Sequence, residues 1–513
     1  MRNIRRYLTL LAVPWAAILL LAPPAAAADP FRVRAVHIDN RIQVLPLPEL
    51  KRIVESVSSR GVNTIIMEWE GSFPFDQHRV ISNQFAYTKA EIAEFVEFCA
   101  ERGVDVVPLQ QCLGHLEYVL QFERYAALRE DAMDISQACP SQQEAFLELY
   151  GALLDELCAA HPSKYVHIGA DETALLGHCP KCAARAEAEG RSALFIEHIR
   201  AVAQQVLERG KIPVLWADIV MKHPEAIDRL PPECVLVNWN YGWDVNHFGD
   251  HDRLLDSGHE LWGALAMRSH PDNYFGAVWK THFRNYEDFL PFMRDNGYQG
   301  VVLTSWSTSG VYSIVREPKR HVVDMAPLRR VYPMRGFQLL LDAYCDAIGR
   351  ESFDAQAYVA GYAQQRFGLN ADEADELWRH LTAISDVPVG DQSTRAALQS
   401  AREKACKLRD FLARSNNRTD AADVEHYRLM TAIRVFFLDV QLARLDAEAA
   451  TGDAPASAAL GERLTKLLRG ADRLDAWFAE LNAENLYPAA IAQENEARRL
   501  ELQRLYERIT SVR

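Results

Sequence analysis

From residue 32 onward, short runs of β-branched and other apolar residues alternate with longer segments whose apolar positions recur at helical spacing. The short runs predict strands at Val33–Asp39, Asn63–Glu70, Val104–Gln110, Tyr165–Gly169, Ile212–Ala217, Val235–Trp239, Glu260–Leu265 and Val301–Trp306. Helices are predicted between them over 48–60, 89–102, 141–160, 192–209 and 286–296. Thr88 caps the second of these, and Gly61 and Gly103 stop the first two. Runs such as "VNTIIM" and "GVVLTSW" are almost continuously apolar, as strands covered on both faces must be. Eight strands with crossovers in roughly 275 residues predict an α/β fold, a (β/α)8 barrel over residues 29–345. The alternative is a doubly wound open sheet, although no glycine-rich phosphate loop follows the first strand.

Beyond about residue 345 the strand pattern stops. Long Ala/Leu/Arg/Glu segments predict helices over 374–385, 395–413, 421–449, 458–481 and 491–509. Phe436, Val440 and Leu445, or Leu464, Leu468, Leu474 and Trp477, mark their apolar faces. Residues 346–513 therefore read as an all-α helical bundle appended to the barrel. One break between helices contains Asn417-Arg418-Thr419, which fits a glycosylation sequon. At the other end, Arg2, Arg5 and Arg6 precede an apolar run from Leu8 to Leu21 and an alanine stretch ending at Ala28. Residues 1–28 are thus expected to be a signal peptide, the alternative being an uncleaved anchor, and the mature protein to be periplasmic or secreted.

Composition narrows the partners. The chain has 513 residues, 49% of them hydrophobic, with 70 acidic against 56 basic side chains and a formal net charge of −14. Nucleic acid and anionic membrane both need a basic face, so neither is an expected partner. Nine cysteines are scattered without a disulfide framework, and the close pair is Cys179 and Cys182, preceded by His178. Cys-x-x-Cys is half of a zinc site, but no second pair follows it in the sequence. A disulfide, inert thiols and a metal site all remain open, and neither a metal nor an organic cofactor is assigned.

The segment "KYVHIGADET", residues 164–173, carries the candidate chemistry. An apolar strand ends at Gly169, and Asp171 and Glu172 follow at once, where a barrel places its active site. Two adjacent carboxylates repel, so at least one is expected to have a raised pKa and to serve as a proton donor. The duller reading is a pair of solvated acids capping the next helix.

His167-x-Gly169-x-Asp171-Glu172 resembles the H-x-G-x-D-E motif of family 20 glycoside hydrolases, the β-N-acetylhexosaminidases. The resemblance runs over residues 32–320 and is closest to the short hexosaminidase D-like branch. It implies that Asp171 and Glu172 are catalytic. Glu172 would be the acid and base, and Asp171 would orient the substrate's own 2-acetamido group as nucleophile in a retaining, oxazoline mechanism. Arg34 and Asp39 look like the family's opening Arg-Gly-x-x-x-Asp segment, with Ala35 in place of the glycine. Substrate contacts are implied for Arg34, Glu70, His115, His167, Trp216, Trp239 and Trp306, with Tyr241 standing in for an acetamide-binding tyrosine that the seventh strand lacks. The family's Trp-Gly-Glu appears here as Trp306-Ser307-Thr308. Terminal β-linked N-acetylhexosamine on glycans is the implied substrate.

Each of these residues has a structural alternative. Arg34 could bridge to Asp39 inside the barrel, the histidines could be core residues, and the tryptophans could fill the barrel. Rival functions are a glycosidase using Glu70 as a protein nucleophile, about 5–5.5 Å from Glu172, and a non-catalytic carbohydrate-binding barrel. A third is a protein-interaction module in the helical region, which lacks repeats of fixed period.

Overall fold

Ten strands are laid down before residue 306: β1 (Val33–Asp39), β2 (Thr64–Glu68), β3 (Asp105–Leu109), β4 (Arg129–Asp131), β5 (Asp134–Ala138), β6 (Tyr165–His167), β7 (Ile212–Trp216), β8 (Val235–Trp239), β9 (Glu260–Arg268) and β10 (Gly300–Ser305). The computed structural model describes residues 31–268, 272, 276–307, 315–317, 322–324, 331–385, 394–414, 421–449 and 454–511. The expected signal peptide, the sequon at 417–419 and Thr308 lie outside them.

Eight of these strands close a barrel in the order β1-β10-β9-β8-β7-β6-β3-β2 with every pair parallel, so the open-sheet alternative is set aside. Continuous apolarity has the cause expected of it, since helices cover the outside and Ala35, Ile66, Val107, Val214, Val237, Trp262 and Val302 fill the inside. Register then builds the mouth. Asp39 pairs with Glu68, Glu68 with Leu109, and Leu109 with His167, so these positions share one layer at the C-terminal end. Lower down, Gly300 admits the Trp262 indole, because a Cβ there would sit 2.5 Å from the ring.

The helix Lys89–Ala100 starts with a capping box in which Thr88 Oγ1 accepts the Glu91 N–H and Glu91 accepts the Thr88 N–H. The antiparallel hairpin β4–β5 is an addition to the sequence reading. It lies above the barrel, where the Ala138 N–H donates to the Leu113 carbonyl and the Leu116 N–H to the Ser136 carbonyl.

The C-terminal region is helical over Gln338–Ala347, Ala355–Phe367, Ala371–Thr382, Arg395–Arg414, Ala421–Ala449, Ala454–Leu481 and Pro488–Thr510. The first of these runs through residue 345, and its Tyr344 hydroxyl lies 2.9 Å from the Ala35 carbonyl of β1. Phe283 of the barrel packs on Trp378. Gln43, just past β1, donates to Glu494 on the last helix at 2.9 Å. No helix among the described residues is long and apolar enough to cross a membrane.

Candidate active site

The acid pair follows β6 on a loop held in an unusual conformation. Among the described residues, four non-glycine side chains sit on left-handed backbone: Glu70 (φ 45°), His115 (φ 54°), Ala170 (φ 78°) and Glu172 (φ 50°). All four lie in the segments that follow barrel strands at the mouth, and such conformations persist where surrounding contacts impose them. The motif glycine has a steric reason as well, since a Cβ on Gly169 would fall 1.8 Å from Gln111 Oε1. Gly114 likewise makes room for the loop, because its Cβ would meet the Asp171 carbonyl oxygen at 2.7 Å.

His115 stands between the acids, its Nε2 lying 3.3 Å from both Asp171 Oδ2 and Glu172 Oε2. Burial alone would lower the imidazole's pKa, but the facing Asp171 carboxylate helps raise it well above the ordinary value. The acids differ in access. The Asp171 side chain is 9% exposed and Glu172 43%, so one is sunk in the barrel and the other reaches the cleft. Asp171 Oδ1 is buried without a hydrogen-bond partner.

The expected rise in proton affinity falls on neighbours instead. The hydrogen bond from His115 pulls Glu172 below its ordinary carboxylate value, against the effect of burial. Burial, with Asp171 as the next cause, pushes Asp218 up to about 7, and burial pushes Glu117 up to about 7. Asp218 lies just past β7 and faces the Glu172 backbone N–H at 3.4 Å. Neither Asp218 nor Glu117 was singled out from the sequence. The signal available for Asp218 was its position two residues after a strand-end tryptophan.

Arg34 requires a correction. It points to the other end of the barrel, donating to the Phe31 and Gly61 carbonyls, because it opens β1 rather than closing it. Nor does it bridge to Asp39, which accepts from the backbone N–H of Arg41 and from both the backbone N–H and hydroxyl of Ser307. The arginine at the mouth is Arg41. Its guanidinium donates to Glu68 at 2.8 Å and Glu70 at 2.9 Å, lies 3.5 Å from His115 Nδ1, and sits over the Trp306 ring. Glu68 also meets His37 and Gln111. Burial opposes its ionisation, yet Arg41 and these hydrogen bonds hold it far below the ordinary range. Glu70 is pushed upward, first by burial.

His167 is the second correction. It hydrogen-bonds neither acid. Its Nδ1 accepts the Gly169 N–H at 3.0 Å and its ring packs on Trp216, while burial lowers its pKa to about 3. The imidazole is therefore neutral, with the remaining proton on Nε2.

The aromatic residues stand at or just past the ends of β7, β8 and β10. Trp239 packs against Tyr241, and Trp306 donates its indole N–H to the Tyr241 hydroxyl at 2.9 Å. Thr304 Oγ1 lies 3.0 Å from the same hydroxyl. Trp216 is 1% exposed and belongs to the barrel filling, with its ring 5.9 Å from that of Trp306. The indole nitrogens of Trp216 and Trp239 are buried without hydrogen-bond partners. Apolar rings, two unpaired donors and one unpaired carboxylate oxygen suit a ligand with a flat face, an acceptor and an N–H. Outside Glu172 the cleft continues as a cavity of about 500 Å³ lined by His115, Glu117, Gln137, Thr173 and Lys222, among others.

The chain is similar to known proteins. Residues 33–262 match the catalytic domain of glycosyl hydrolase family 20. Hexosaminidase D of Homo sapiens is 29% identical over 310 residues, covering 57% of this chain and 63% of its own length. Hexosaminidase D of Bos taurus is 28% identical over 302 residues, covering 56% of this chain and 87% of its own. Among solved structures, an N-acetyl-β-hexosaminidase of Streptomyces plicatus superposes with a TM-score of 0.48 at 18% identity, over 67% of this chain and 69% of that one.

Proposed function

We propose, on the premise that residues 33–262 belong to glycoside hydrolase family 20, that this chain removes terminal β-linked N-acetylhexosamine from glycans by a retaining, substrate-assisted mechanism. The observation that carries the reading is the unequal acid pair on one histidine. Glu172, half exposed, protonates the glycosidic oxygen as the bond to the anomeric carbon breaks, acting in its protonated form, which the His115 hydrogen bond confines to the acid side of the pH profile. The substrate's acetamide oxygen closes on that carbon from the other face to give an oxazolinium ion that keeps its N–H. Buried Asp171 offers its unpaired Oδ1 to the acetamide N–H and balances the positive charge of the ring. Glu172, now ionised, takes a proton from the incoming water, which opens the ring with net retention.

A protein nucleophile is less well supported. Glu70, the candidate for it, is buried and clamped by Arg41 at 2.9 Å. A binding barrel without catalysis has no need of a second carboxylate beside Glu172, whereas here Asp171 and Glu172 both face His115 at 3.3 Å.

Aryl β-N-acetylglucosaminides and N-acetylgalactosaminides should be hydrolysed and aryl β-glucosides left essentially untouched. Glu172→Gln should slow poor leaving groups most, by about 10²–10⁴-fold, and Asp171→Asn should slow good and poor ones alike. Equal turnover of glucosides, or the same leaving-group dependence in both variants, overturns the proposal.

A further inference from the structure

The loop that leaves the acid pair ends at Cys179, which caps the helix Pro180–Glu189 by accepting the Cys182 N–H on its Sγ at 3.3 Å. The hairpin supplies two more groups at the same point. Cys139 follows β5, and its Sγ lies 3.5 Å from that of Cys179 and 3.6 Å from that of Cys182. Glu130 of β4 is 2% exposed. One of its oxygens accepts the His178 and Cys179 N–H groups at 2.7 and 2.9 Å, and the other is buried without a hydrogen-bond partner. The four ligand atoms all lie within 4.8 Å of one another, which no other such group does among the described residues.

From this arrangement we propose that Cys139, Cys179, Cys182 and Glu130 form a structural zinc site that ties the catalytic loop to the β4–β5 hairpin. Tetrahedral zinc with Zn–S bonds of about 2.3 Å sets its sulfurs about 3.8 Å apart. The observed 3.5 and 3.6 Å separations are near that edge, whereas a disulfide needs about 2.05 Å. Three thiolates with one carboxylate select a zinc-class ion over magnesium or calcium, which take oxygen donors. Four protein ligands leave no open position, so the ion would hold structure rather than act on substrate. Binding replaces the three thiol protons, which pass to solvent. The resulting excess negative charge faces the helix N-terminus and the N–H groups of residues 178, 179 and 182. The sequence could not pair these residues, since the second half of the site comes from a hairpin some forty positions upstream.

The test is metal analysis of the full chain purified under reducing conditions and reconstituted with zinc, together with X-ray absorption. One zinc per chain is expected, with three sulfurs at about 2.3 Å and one lighter atom. Glu130→Gln and Cys182→Ser should lose zinc and unfold at lower temperature, while Cys406→Ser, outside the cluster, should keep it. If Cys182→Ser does not fold, the absorption spectrum of the wild type decides alone. Thiol titration of the denatured, zinc-stripped protein should count all nine cysteines. A count lower by two, or zinc well below one per chain after reconstitution, overturns the site.

Discussion

Replacing Gly114 by alanine should damage turnover far more than stability. The added Cβ would lie 2.7 Å from the Asp171 carbonyl oxygen, against about 3.3 Å for a close C···O contact. Something must therefore move by about 0.6 Å, and the obstacle is backbone rather than the end of a flexible side chain. The loop cannot absorb this locally, because Ala170 and Glu172 on either side already occupy left-handed backbone. Displacement of the acids relative to the sugar follows. With about 10²-fold lost per ångström of misplacement, kcat on an aryl N-acetylglucosaminide should fall roughly tenfold. The stability cost of such overpacking is about 1–3 kcal/mol. Gly103→Ala is the matched control. It has a φ of +66° and open space where the Cβ would go, so it carries about 1–2 kcal/mol of backbone strain without touching the mouth. Steady-state kinetics and thermal unfolding of both variants separate the two effects. If Gly114→Ala kept kcat within twofold of wild type, or if Gly103→Ala lost as much, the steric account of the loop would be wrong.

Two further outcomes follow from the charges at the mouth. His115→Asn keeps a residue tolerant of left-handed backbone but removes the donor that holds Glu172 low. Glu172 should then retain its proton to higher pH, and the alkaline limb of kcat/KM should move upward. An unchanged or lowered limb would contradict the hydrogen-bond assignment. Burial raises Glu117 from its ordinary value to about 7. The folded state therefore favours its protonated form, and stability is lost as pH rises from about 4.5 through 7. That span corresponds to roughly 3 kcal/mol at most. Glu117→Gln should raise the unfolding temperature relative to wild type at pH 8 and gain little at pH 5. A pH-independent difference would refute it.

The barrel was legible because its strands are covered on both faces, so that apolar runs such as residues 300–305 stand out from helical periodicity. The β4–β5 hairpin was not, since "REDAMDISQA" is short, mixed in polarity and held by contacts to residues 113 and 116 rather than by a pattern of its own. The acids were found by one rule, that residues just past a strand face the mouth. Applied to β1, that rule selects Arg41. Arg34 came instead from resemblance to a motif, and it opens the strand at the far end. Proton affinity failed for a different reason. Adjacent acids repel in sequence, but His115, brought from another loop, lies within reach of both.

The hydrogen bond from Gln43 to Glu494 spans 451 residues, and Gln43 also accepts from Arg268 at the end of β9. Chains emerge from the ribosome N-terminus first, at about 5–20 residues per second. The segment after β1 that carries Arg41 must therefore wait roughly 20–90 s before its last partner exists. Nascent barrels can close β1 on β2 early, but the rim beside Arg41 stays unfinished until the final helix has been made. A chaperone or protease sampling the nascent chain would meet that rim in its open state, and interrupted synthesis would release barrels with most of their core and an unsecured entrance.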